Sequence, residues 1–155
     1  MRAAALCWFI VKALGVSATP QAERRTTTYD EATILQYALT LEHLKNAFYA
    51  GAIAKFDQRA HEKFAEISAH EKRHVVLFEV ALRAAALKPC TYGFLYTYPK
   101  SFVALSQILE GVGTSAFTGA AQFLTSKALI TKAASIRIHP CHGGLHAAWV
   151  ASSVN

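Results

Sequence analysis

ILQYALTLEHLKNAFYAGAIAKF, residues 34–56, sets Leu35, Leu39, Glu42, Asn46, Tyr49, Ile53 and Phe56 at steps that alternate between four and three. That spacing marks one face of an α-helix, and it places the Glu42 carboxylate on the face the apolar residues bury. FAEISAHEKRHVVLFEVAL, residues 64–82, repeats the pattern with Phe64, Ile67, Glu71, His74, Phe78 and Ala81, and here the stripe carries a Glu-x-x-His pair. In SFVALSQILEGVGTSAFTGAAQFL, residues 101–124, a third stripe runs through Val103, Ser106, Glu110, Gly113 and Phe117. Three helices thus aim ionisable groups inward. A lone carboxylate in an apolar interior is expensive, so these groups are expected to be paired, protonated or bound to metal. Metal is the favoured expectation.

The chain has 155 residues, enough for one core of three or four long helices. Hydrophobic residues make up 53% and charged residues 17%, which argues against disorder. Asp30 is a plausible N-cap for a first helix running to about Phe56. After a polar turn at Asp57–Ala60, a second helix carries Phe64 to about Leu87, antiparallel to the first. KPCTYGFLYTYPK, residues 88–100, has two Pro, one Gly and four aromatics without helical period, and reads as a long connection. Its aromatics, Tyr92 to Tyr98, are expected to cap the end of the bundle core. A third helix runs from Ser101 as N-cap to about Leu124, and a fourth apolar segment starts near Lys127 and continues through Trp149. Pro140, Gly143 and Gly144 predict a kink or loop in it between Ile138 and Leu145. The order predicts an all-α four-helix bundle with one long crossover and an interrupted fourth helix.

A carboxylate-bridged dimetal site in such a bundle takes one Glu from each of two helices and a Glu-x-x-His from each of the others. The first half supplies Glu42, then Glu71 and His74. The second half supplies Glu110 and His146, with Gly143 where a second acidic partner would stand, so one metal position is expected to be weak or empty. The three stretches quoted above, with HAAWVAS at residues 146–152, resemble the ferritin-like domain of plant desiccation-related proteins and of fungal stress- and sexual-development-associated proteins. The resemblance covers about residues 30–136 and resumes at His146. It implies a ferritin-like bundle, commonly behind a signal peptide, associated with stress or development. By the same resemblance Glu42, Glu71, His74, Glu110 and His146 fall on metal-ligand positions, for iron or manganese, and chemistry with dioxygen or peroxide is the expectation by analogy. Gly143, a segment from Ser135 to His146 about three residues longer than the family pattern, and an early C-terminal end depart from it.

Two other readings compete. Residues 70–74, His-Glu-Lys-Arg-His, spell the H-E-x-x-H of zinc peptidases, with His139, His142 or His146 as third ligand. That assignment leaves the inward Glu42 and Glu110 without a role. Alternatively, the carboxylates are neutralised by a buried Lys or His, or are protonated, in a metal-free structural or interaction bundle. His43, Glu66 and Glu79 are expected to be solvated or packed at an edge, and His139 and His142 to be loop residues.

Residues 1–18 have a basic start, an apolar middle and small residues at Val16, Ser17 and Ala18, which predicts a secretory signal cleaved after Ala18. An amphipathic buried start is the alternative, because Lys12 interrupts the apolar stretch. Residues 19–29 read as a linker, and residues 30–155 as the domain. The net charge of +6 is scattered rather than gathered into a basic groove, which speaks against nucleic acid. No apolar run outside the first residues is long enough to span a membrane. Removal of Cys7 with the signal leaves Cys90 and Cys141, either a disulfide pair or two free thiols.

Overall fold

A computed structural model describes residues 29–56 and 58–138, with side chains in the second helix from Phe64 onward. Among these residues the regular structure is helical throughout: α1 Glu31–Lys55, α2 Gln58–Leu82, α3 Pro99–Ala120 and α4 Lys127–Ile138, with 3₁₀ turns at Arg83–Ala85 and Ala121–Phe123. The expected signal segment, nearly all of the linker, the break after Ile138, His146 and Trp149 lie outside the described residues.

Local chemistry sets the ends. The Asp30 carboxylate accepts the Thr33 N–H at 2.9 Å, and Glu31 and Lys55 place charges of favourable sign at the two ends of α1. α2 starts at Gln58 rather than Phe64, because residues 58–63 are helix formers that extend the rod without adding apolar period. It stops at Leu82, short of Leu87, where Arg83 takes a left-handed φ of 54°. α3 begins with Pro99 at its first position rather than at Ser101. The Ser101 hydroxyl instead reaches back from the third position, accepting the Thr97 and Tyr98 N–H groups at 3.1 and 3.3 Å.

Two apolar clusters form the core. At one end Phe48, Tyr49 and Ala52 of α1 meet Phe64 and Ile67 of α2 and Phe102 and Val103 of α3. At the other, Leu35, Ala38 and Leu39 meet Val75, Phe78 and Leu82, with Phe117 and, from α4, Ile136. The early part of α1 therefore lies against the late parts of α2 and α3, so α1 runs antiparallel to both. Phe102 is the hub of the first cluster, stacked on Phe48 at 4.6 Å between centroids and tilted on Phe64 at 4.7 Å.

The crossover is fastened to α1 along its length. Gln36 donates to the Ala85 carbonyl and accepts the Leu87 N–H at 3.1 Å, and Lys55 donates to the Tyr96 carbonyl at 2.7 Å. Tyr96 turns inward and donates to the Phe48 carbonyl at 3.2 Å, and Phe94 packs on Phe48, so these two aromatics cap the core as expected. Leu95 and Tyr98 face outward. Glu31 reaches across to the α3–α4 link, where its carboxylate accepts the Thr125 and Ser126 N–H groups at 2.9 and 3.1 Å.

Two stripe positions need correction. On α1 the residue buried beside Glu42 one turn further on is Lys45, 1% exposed, while Asn46 is half-buried. On α2 Leu82, not Ala81, ends the buried face, which keeps the inward row closer to 3.6 residues per turn.

Candidate metal centre

Between the two apolar clusters lies a layer of polar side chains from three helices: Glu42 and Lys45 of α1, Glu71 and His74 of α2, and Ser106 and Glu110 of α3, all buried. The i, i+3 spacing of Glu42 with Lys45, and of Glu71 with His74, puts both members of each pair on one face. Ser106 satisfies itself by donating to the Val103 carbonyl at 2.8 Å.

His74 Nδ1 stands 3.1 Å from Glu42 Oε2 and 3.3 Å from Glu71 Oε2. Lys45 Nζ lies 3.0 Å from the other Glu42 oxygen, Oε1, 2.9 Å from the same Glu71 Oε2 and 3.9 Å from Glu110 Oε2. Glu110 Oε1 in turn accepts the Tyr49 hydroxyl at 2.8 Å. Glu42 thus bridges two positive centres, with one oxygen toward each.

Burial pushes Glu42 up to about 8, against the pull of the Lys45 ammonium. Glu71 is held well below the usual carboxylate range: burial opposes its charge, but Lys45 and the hydrogen bonds from its neighbours outweigh it. His74 rises to about 9, because Glu42 and Glu71 overcome the cost of burying an imidazolium. Burial alone would lower Lys45, and the three surrounding carboxylates hold it above the ordinary lysine range instead. Two cationic side chains therefore face three carboxyl groups in this layer.

Glu42, Glu71 and His74, expected as ligands, do converge, each offering a donor atom within 4.8 Å of the other two. Donors that share a cation at about 2 Å stand roughly 3 Å apart when their bonds meet near a right angle, which the spacings of His74 Nδ1 from the two oxygens match. The three residues fit one divalent ion. Glu110 stands on the Lys45 side of the layer, 3.9 Å from Nζ, and accepts the Tyr49 hydroxyl, and His146 lies outside the described residues. His70 is half-buried and outside this group, so the structure pairs His74 with Glu71 rather than with His70. His43 is packed rather than solvated. It is buried, and its Nε2 lies 3.2 Å from the Leu87 carbonyl, which fastens the crossover.

The residue that sequence reasoning missed is Lys45. The signal was present, since Lys45 falls three residues after Glu42 and four before Tyr49, and both are buried. Lysine is almost never fully buried unless paired, and the stripe was drawn through its neighbour instead.

An antiparallel helical bundle with a long crossover and an inward carboxylate–histidine layer defines the ferritin-like class. Residues 30–155 match the family described as Ferritin-like domain, and the chain belongs to that family. No match is found among the curated proteins.

Proposed function

We propose that this chain is an exported ferritin-like protein of the desiccation- and stress-associated kind, whose centre takes one divalent cation, iron or manganese, on Glu42, Glu71 and His74. The observation that carries the reading is the trio of donors from two helices, sealed between apolar clusters, with a spacing that suits a shared ion. Two carboxylate oxygens and one imidazole suit iron, manganese or zinc better than softer metals. Iron or manganese, once bound, would supply one-electron chemistry toward dioxygen or peroxide. Glu42 and Glu71, both ionised, would balance its charge, so that any proton on Glu42 would leave together with the one His74 shares between the two carboxylates. The surrounding Leu39, Phe48 and Ile67 keep bulk water out.

Export is supported by the pattern of residues 1–18 and by Cys90, which is disulfide-bonded, a state that persists in oxidising compartments. Among the described residues no helix is long and apolar enough to cross a membrane.

Elemental analysis of the purified full chain, loaded with Mn²⁺ or Fe²⁺, tests the site. One ion per chain is expected in the wild type and almost none in Glu71→Ala; equal metal in both removes the reading. One observation favours a second reading, a metal-free structural bundle: Lys45 and His74 already balance most of the buried negative charge. On that reading a chelator leaves the melting temperature unchanged, whereas a bound ion raises it by mass action.

A further inference from the structure

We infer that the Lys45 ammonium is a resident cation standing where a second metal ion would sit, so that this centre is built for one metal and one lysine. The inference deepens the single-ion reading above and rests on that choice of site. Three carboxylates from three helices converge on Nζ, at 3.0, 2.9 and 3.9 Å, and the amine is 1% exposed. Glu42 divides its oxygens, Oε2 toward His74 and Oε1 toward Lys45, as a carboxylate bridging two cations does. Glu110, which is not among the converging donors of Glu42, Glu71 and His74, turns one oxygen toward Lys45 and accepts the Tyr49 hydroxyl on the other.

Packing agrees. The backbone of α3 comes close over the end of Lys45 at Gly113, where even a β-carbon would stand 3.8 Å from both Cε and Nζ. The ammonium fills the room between α1, α2 and α3 without crowding it. Because the charge is covalently attached, the three helices are held together electrostatically whether or not metal is available, and a divalent ion arriving on the Lys45 side would meet like charge in a dry interior. Lys45 therefore sets the metal count.

The test compares full-length wild type with Lys45→Gln, using Mn²⁺ as the probe, with ion count and melting temperature as readouts. Removal of the ammonium should raise the count by one ion per chain and make the melting temperature rise with Mn²⁺ where the wild type gains less. An unchanged count in folded Lys45→Gln overturns the inference, as does a wild type that binds two ions with Lys45 in place. If Lys45→Gln does not fold alone, it is refolded with Mn²⁺: recovery with bound ion supports the inference, and failure to recover overturns it. The double variant Lys45→Gln/Glu110→Gln loses one charge of each sign and should stay folded without the additional ion; an additional ion there also overturns it. A wild-type count of zero beside a Lys45→Gln count of one would remove the Glu42–Glu71–His74 reading while leaving Lys45 as the cation that occupies the second place.

Discussion

His74 shares one ring nitrogen between two buried carboxylates, and this fixes the direction in which pH acts on the bundle. A group that holds its proton more tightly when folded contributes stability that is present below its ordinary pKa and vanishes as pH rises through the folded value. For His74 the loss runs from the ordinary 6.5 up to about 9, and for Glu42 from 4.5 up to about 8. Both act in the same sense. Glu71, held low, acts oppositely, contributing stability above 4.5 that is lost as the solution becomes more acidic. In chelator the melting temperature should therefore fall as pH is raised from about 6 to 9, and His74→Gln should flatten that slope. A flat wild-type profile would contradict the arrangement. Tyr49→Phe removes the hydroxyl that donates to the buried Glu110 Oε1, and urea unfolding should show a loss of about 1–3 kcal/mol. Glu42, Glu71 and His74 were legible in sequence because an acid on an apolar stripe has no bland place to go. Lys45 was not, because periodicity alone does not separate position i+3 from i+4, and a lysine is by default assigned to water.

Among the elements, α1 makes the most varied demands on its residues, since it packs on α2, on α3 and on the crossover. Gly51 shows how tight the last of these is: a β-carbon there would stand 2.7 Å from the Tyr96 hydroxyl oxygen, which is occupied with the Phe48 carbonyl. Gly51→Ala gains helix propensity but forces Tyr96 aside, and a net cost of roughly 1–3 kcal/mol is expected by denaturant titration. Phe102→Ala, at the hub of the aromatic cluster, should cost about 3–5 kcal/mol by the same measurement. The helices themselves were readable from the stripes, but their ends were not. The start of α2 was hidden because polar residues lengthen a helix without leaving an apolar period. Its end at Leu82 depends on one left-handed residue, Arg83, that no side-chain preference announces. Ser101 was recognised as a capping residue yet placed at the cap, three positions after Tyr98, because a serine can serve at either end of the motif, and at the third position its hydroxyl accepts the amides at and before the cap instead of those inside the helix.

For the whole molecule, the alternation of apolar cluster, charged layer and apolar cluster was implicit in the three stripes, since each carries its acid near the middle with large apolar residues on both sides. Export and the course of the chain after Ile138 depend on residues 1–28 and 139–155, outside those described, and mass determination of the protein from its native source addresses the first directly. A mature N-terminus at Thr19 is expected, and retention of Met1 would remove the export proposal. The Glu31 carboxylate has a further consequence. It joins the first turn of α1 to amides 94 and 95 residues away, on the solvent side of the bundle. Such a latch closes a long loop for little buried surface, so it should engage late in assembly and release early in local opening. The Thr125 and Ser126 amides would then exchange with deuterium well before those beside Phe102, and Glu31→Gln would quicken them without touching the aromatic end.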